Sequence, residues 1–290
     1  MNPSLPIADS SLVDVQWLRA QLNAPSVVVI DTRFSLAATD QGQNQYQAGH
    51  IPGAYYLDLN QDLSSPVNSH GGRHPLPNWD DFVSKLNRLG IYSNPPSGPT
   101  QIVIYDDARF AFAARLWWML RYLGHPSVAI LDGGIQAWES AGGPLSTEIP
   151  AERAGNFQPQ PQSDWVVGIE EVRSRKGSPD VVVIDSRSPE RWRGDIEPID
   201  PIAGSIPGSI NSFWQNVSTP TGQLKSPEDL IQHWAHINPK DEVIVYCGSG
   251  VTACVNLFSL VVAGHPMPRL YPGGWSDWCS YNADLTNESR

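Results

Sequence analysis

Four blocks of sequence occur twice in this 290-residue chain, in the same order. Val27–Phe34 reads VVVIDTRF and Val181–Ser188 reads VVVIDSRS. GHIPGA at Gly49–Ala54 returns as GSIPGS at Gly204–Ser209. Gln101–His125 matches Glu242–His265. Leu131-Asp132-Gly133-Gly134, then Trp138, matches Tyr271-Pro272-Gly273-Gly274, then Trp278. One such match could arise by chance; four in one order indicate duplication. Two copies are too few for a solenoid, so the expectation is two tandem globular domains. Each would have roughly 145 residues, enough to bury a core without staples. The matched positions lie about 155 residues apart in the first two blocks and about 140 in the last two. The first copy therefore carries about 14 extra residues near Asn60–Pro99, a stretch that includes His70-Gly71-Gly72-Arg73-His74-Pro75-Leu76-Pro77. The expected boundaries are 1–143 for the first domain, 144–161 for a proline-rich surface linker, and 162–290 for the second domain.

Within each copy, short β-branched runs (VVVID, QIVIY, VIVY) bounded by polar residues read as strands buried on both faces. Helical spacing follows: Leu116, Trp117, Leu120 and Leu123 in one copy, and Val251, Cys254, Val255, Phe258 and Val262 in the other. Alternating strands and helices predict an α/β fold, each domain a mainly parallel sheet flanked by helices on both faces. In such sheets the sites lie beyond the carboxyl ends of the strands. That rule selects two loops, one starting at Asp106 and one at Cys247.

The net charge of −11, from 30 acidic and 19 basic residues, disfavours nonspecific nucleic-acid or anionic-membrane partners. No apolar run approaches the ~20 residues needed to span a bilayer, and the N-terminal residues lack the pattern of a signal peptide. Three cysteines, Cys247, Cys254 and Cys279, cannot form a disulfide framework. These features point to a cytoplasmic protein. No His/Cys spacing suits a metal, and no metal or cofactor is expected.

Cys247-Gly248-Ser249-Gly250-Val251-Thr252 joins a predicted strand to a predicted helix. Two glycines let the backbone curl so that successive N–H groups point inward, which makes an anion-binding nest at a helix start. A cysteine at its centre is expected to act as a thiolate nucleophile. Cys254 lies on the apolar face of the following helix, and both it and Cys279 read as structural. A phosphatase-type Cys-x5-Arg loop is disfavoured, because the sixth residue after Cys247 is Ala253.

Taken together, VVVIDTRF and VVVIDSRS, HIPGA, YDD…AARLWWML, LDGGIQAW, YPGGW and CGSGVTA resemble the tandem-domain rhodanese family of sulfurtransferases over nearly the whole chain. The resemblance implies a silent first domain, with Asp106 at the cysteine position, and a catalytic second domain. It implies a persulfide on Cys247, made from a small-molecule sulfur donor and passed to thioredoxin, glutathione, another thiol or cyanide. A persulfide carrier that serves a protein partner is the alternative. Gly248 and Ser249 after the cysteine resemble the 3-mercaptopyruvate-type loop rather than the basic thiosulfate-type loop. In that subfamily the serine joins a relay with a histidine and an aspartate, which match Ser249, His74 and, in the aspartate's place, Asn60, with Asp58 and Asp62 nearby. Arg191 matches the arginine that holds the donor's anionic group, and Gly248, Gly250, Val251 and Thr252 line the donor. A second arginine of the 3-mercaptopyruvate type, nine residues later, is Asp200 here; Arg193 is the candidate substitute, and thiosulfate stays open as donor. Arg33 and Arg187 follow equivalent strands and read as structural ion pairs. Cys247→Ser is expected to abolish sulfur transfer to cyanide, while Cys254→Ser and Cys279→Ser keep most of it. Turnover retained by Cys247→Ser would overturn this reading.

Overall fold

The computed structural model describes residues 11–95 and 98–281. It divides into two compact units. Of the described residues, 11–63, 77–95, 98–162 and 220–224 form the first, and 64–76, 163–219 and 225–281 the second. Two short segments therefore lie outside the unit that a single cut at 144–161 would give them. The segment expected as a linker is bonded along the first unit. Leu89 bridges to Arg153 and Tyr92 to Asn156, and the Tyr55 and Tyr92 hydroxyls donate to the carbonyls of Ala151 and Ala154.

The first unit runs β1 (Leu12–Val13), α1 (Val15–Gln21), β2 (Val27–Asp31), α2 (Gln41–Ala48), β3 (Tyr55–Tyr56), α3 (Trp79–Arg88), β4 (Gln101–Tyr105), α4 (Ala113–Tyr122), β5 (Val128–Leu131) and α5 (Gly134–Ser140). Its strands pair in the order β1-β5-β4-β2-β3, every pairing parallel. The second unit runs α6 (Ile169–Arg175), β6 (Val181–Asp185), α7 (Pro189–Arg193), β7 (Ile210–Asn211), α8 (Pro227–Trp234), β8 (Glu242–Tyr246), α9 (Ala253–Val262), β9 (Arg269–Leu270) and α10 (Gly274–Tyr281). Its sheet, β7-β6-β8-β9, is parallel throughout. Both α/β sheets match the sequence expectation. Their central strands are buried on both faces, as continuous Val/Ile runs require. α4 and α9 are apolar almost all round because each lies in a core.

The repeated blocks are parts of one repeated hydrogen-bond network. In-register pairing sets Asp31 beside Tyr105 and Asp185 beside Tyr246 at the carboxyl ends of the sheets. Each Asp folds back on the arginine two residues on, Arg33 or Arg187, with closest oxygen–nitrogen distances of 2.6 Å. Each arginine also donates to a glycine carbonyl, Gly49 at 2.8 Å or Gly204 at 2.6 Å. Each tyrosine hydroxyl accepts the N–H of the isoleucine in the IPG block, Ile51 or Ile206. Burial, and next the neighbouring carboxylate, push both phenols well above the ordinary range, so they stay protonated. The network ties a strand, a turn and a second strand together where the site loops leave the sheet.

Among the described residues, no helix is long and apolar enough to cross a membrane, and no group of His, Cys, Asp and Glu is arranged to hold a metal ion. Asp31→Ala would leave Arg33 buried without its carboxylate. The expected cost is about 3–5 kcal/mol, read as a lower urea midpoint for the first unit.

Candidate active site

The loops after β4 and β8 are built alike and filled differently. Each begins with a carbonyl that captures the N–H of the helix after the next strand: Asp106 takes Ile135 at 3.1 Å, and Cys247 takes Trp275 at 2.8 Å. Each ends at a ten-residue helix, α4 or α9. In the first unit the loop curls around the Asp106 carboxylate. Oδ1 accepts the N–H groups of Ala108 (2.9 Å) and Phe110 (3.2 Å), and Oδ2 those of Phe112 (3.0 Å) and Ala113 (2.9 Å). To close this ring Arg109 and Phe110 take left-handed φ values of 56° and 72°, which non-glycine residues rarely adopt. A cavity of about 430 Å³ opens beside this loop, lined in part by Arg109, Gln136 and Gln223, with no thiol in its wall. Asp106 is buried and has no group that could accept sulfur.

In the second unit Cys247 takes the place of that carboxylate, in a loop one residue shorter. Cys247 is 2% exposed and Ser249 5%. Gly250 supplies the left-handed residue, φ 73°, and packs against the Pro272 carbonyl, where a Cβ would clash. Helix α9 starts at Ala253 rather than at Val251. Val251 and Thr252 complete the turn, their carbonyls accepting from Cys254 and Val255 in tight bonds of 3.1 Å. Cys254 is buried, its Sγ 3.4 Å from the Gly250 carbonyl, so it buttresses the loop from behind. Burial, and next the Asp200 charge, push the Cys279 thiol up to about 12, which keeps it inert.

Residues 64–76, from the first half of the chain, belong to this unit and deliver two side chains. The segment closes on itself through Ser65 N–H to the Pro75 carbonyl at 3.0 Å. It is clipped to α10 by Gly71 N–H on Asp277 (2.6 Å) and by His70, which stacks on Tyr281 and bonds Ser280. At Gly72 any side chain would strike the Gly273 backbone. His74, 7% exposed, thus reaches Ser249, with Nδ1 2.7 Å from Oγ. The direction of that bond follows the imidazole tautomer. Asn60, at the expected aspartate position, belongs to the first unit. Its N–H donates to Asp58 at 2.7 Å, and Asp58 and Asp62 are likewise engaged inside that unit.

A chain of alternating charges runs up to the Cys247 loop. Arg187, held by Asp185, reaches Glu197 at 3.0 Å. Glu197 binds Arg191 at 2.6 Å, Arg191 reaches Asp200 at 3.2 Å, and the other oxygen of Asp200 binds Arg73. Burial opposes the charge on Glu197, but bonds from Arg191 and nearby backbone N–H groups win, so its carboxyl lies below the usual range. Burial raises the Asp200 carboxyl against the pull of Arg73. Both outer guanidiniums sit over the loop. A Cβ on Gly248 would lie 2.8 Å from Nη2 of Arg73, and 3.8 and 3.9 Å from Nη2 and Nη1 of Arg191.

The loop residues, His74 and Arg191 therefore meet in one unit. Arg193 does not join them, since it pairs at the surface with Asp195 at 2.8 Å. Arg73 was missed, although it adjoins His74 in the inserted stretch. Glu197 was missed as well. Arg73 is tied to the loop by an ion pair with Asp200, 127 positions away, which no local spacing encodes, whereas Glu197 pairs with Arg191 and Arg187, 6 and 10 positions away.

A model of the rhodanese-like domain matches residues 14–141 and again 169–281. The chain is 42% identical over 278 residues to a Pseudomonas aeruginosa protein described as a probable 3-mercaptopyruvate sulfurtransferase, covering 94% of this chain and 96% of that one. It is 31% identical over 281 residues to rat thiosulfate sulfurtransferase, covering 92% and 91%. Among solved structures it resembles 3-mercaptopyruvate sulfurtransferase from Leishmania major, with a TM-score of 0.82, 26% identity and coverage of 99% of this chain and 78% of that one. The Escherichia coli counterpart gives a TM-score of 0.78 at 29% identity, covering 92% and 99%.

The glycines of the second unit give a graded test. Gly177→Ala, with φ 85° and open space around it, is expected to cost about 1–2 kcal/mol for the left-handed backbone alone. Gly250→Ala also drives a Cβ into Pro272, so its cost in urea unfolding should be clearly larger, with an altered rate of Cys247 alkylation.

Proposed function

The chain belongs to the rhodanese family and is a sulfurtransferase, and on that premise we propose that Cys247 takes sulfur from 3-mercaptopyruvate and passes it to a thiol or to cyanide. The observation that carries this reading is the Ser249–His74 hydrogen bond of 2.7 Å in the loop that bears Cys247.

The donor's carboxylate lies on Arg191 and Arg73, whose free edges face Gly248; guanidinium forks suit planar carboxylates. The Cys247 thiolate attacks the donor sulfur. An S–S bond forms as the donor's C–S bond breaks, and that electron pair goes to C3 as a pyruvate enolate. The donor's S–H proton must then reach C3. Ser249, backed by His74, is the relay that carries it, leaving pyruvate and a Cys247 persulfide anion. The loop stabilises that anion as its counterpart stabilises the Asp106 carboxylate, through inward backbone N–H groups. Gly250, Val251 and Thr252 shape the turn that aims those groups. In the second half-reaction a thiol's proton passes to the outer sulfur as the thiol's own sulfur bonds that atom; the S–S bond to Cys247 breaks, a hydropersulfide leaves and the Cys247 thiolate is released. Cyanide instead leaves as thiocyanate. This is ping-pong covalent catalysis.

The first unit, 1–143 in the sequence reading, is catalytically silent in this proposal, because Asp106 fills its loop. The three free thiols fit a reducing cytoplasm, where thioredoxin or glutathione would serve as acceptor.

Thiosulfate supplies the discriminating test, because its transfer of sulfur with loss of sulfite needs no proton relay. Ser249→Ala and His74→Ala are expected to lower kcat with 3-mercaptopyruvate at least ~10-fold and to leave thiosulfate turnover nearly unchanged. Arg191→Ala should raise KM for both donors. Wild-type preference for thiosulfate, or equal losses with both donors, would overturn the 3-mercaptopyruvate reading.

A further inference from the structure

Asp200 stands where the 3-mercaptopyruvate-type pattern has a second arginine, yet the anionic end of the site still presents two guanidiniums. Arg73 arrives from residues 64–76 and Arg191 from α7, and Asp200 takes one bond from each. The side chain of Asp200 is only 2% exposed, whereas those of Arg191 and Arg73 are 15% and 29% exposed. The carboxylate is the floor of the site and the guanidiniums are its rim. Arg73 commits Nη1 to Asp200 and turns Nη2 toward Gly248. Arg191 commits Nε and Nη2 to Glu197 and Asp200, and its Nη1 also lies near Gly248. Directional donors therefore remain for one anionic group.

The charge balance differs from the donor count. Arg73, Arg187 and Arg191 are matched one for one by Asp185, Glu197 and Asp200. A cluster with no net charge still offers hydrogen bonds to a planar anion, but it lacks the attraction that grows with the ligand's charge. With the rim donors unchanged, the buried negative charge of Asp200 penalises a dianion twice as strongly as a monoanion at the same position. We infer that Asp200 is a specificity-determining residue: it tethers both guanidiniums and holds the pocket near neutrality, so that the site selects monoanionic donors, such as a 2-oxo carboxylate, over dianions such as thiosulfate. The inference deepens the donor reading above and rests on that reading for the identity of the site.

Methanesulfonate and sulfate are nearly the same shape, carry charges of −1 and −2, and donate no sulfur. Their binding to the full-length protein can be followed by the NMR shifts of the Arg73 and Arg191 side-chain N–H groups. In the wild type sulfate should bind no more tightly than methanesulfonate. In Asp200→Asn the affinity for sulfate should rise at least ~10-fold relative to methanesulfonate, and the thiosulfate to 3-mercaptopyruvate ratio of kcat/KM should move the same way. Asp200→Glu, which keeps the charge, should leave both ratios within about 3-fold. Sulfate binding tenfold tighter than methanesulfonate in the wild type would overturn the inference without any variant. Equal weakening of both anions in Asp200→Asn would reduce Asp200 to a tether and overturn it too. The anion ratios need no turnover, so failure of the 3-mercaptopyruvate reading and failure of this one are separable.

Discussion

A chain of ion pairs runs from the carboxyl end of β6 to the Cys247 loop of the second unit, and the placement of Arg191 and Arg73 depends on it. Asp185, fully buried, holds Arg187; Arg187 holds Glu197; Glu197 and Asp200 hold Arg191; Asp200 holds Arg73. Each group compensates a charge whose burial would otherwise cost several kcal/mol. The positions of the outer arginines are thus set by the rigid β6 strand end rather than by flexible side chains acting alone. The first unit has the same first links, Asp31 with Arg33 and Arg33 with a glycine carbonyl, Gly49 there and Gly204 in the second unit. The shared pair supports the fold; its extension to Arg73 is a feature of the second unit.

The two loops show how a duplicated frame separates structure from chemistry. Both leave a parallel strand, anchor the same kind of helix and create a place for negative charge at a helix start. In the first unit a carboxylate of the chain itself occupies that place and takes four backbone N–H groups. That internal anion makes the loop self-satisfied. In the second unit the same place holds the buried thiol of Cys247.

Much of this was legible from residue order. The VVVID runs are strands because unbroken Val and Ile suit a sheet covered on both faces, and the Gly-rich CGSGV segment is a turn because Gly250 needs a left-handed φ. Cys247, Ser249, His74 and Arg191 were each marked by family pattern, and the fold brings them together. Val251 is apolar and has helical spacing with the residues that follow, but it belongs to the tight turn before α9. The role of Asp200 was also hidden: read in isolation it was only a missing arginine.

Sequence alone determined the duplication, the α/β class and the unequal chemistry of Asp106 and Cys247, because these depend on local pattern and residue type. Tertiary structure decided that residues 64–76 belong to the second unit, that Arg73 lies beside Gly248, and that Asp200 joins it to Arg191. Those outcomes rest on contacts between residues more than a hundred positions apart, as Arg73 and Asp200 are. Such contacts arise only when the sheet, the clipped loop and α7 are assembled, because the energy of a buried ion pair depends on distance and desolvation rather than on order along the chain.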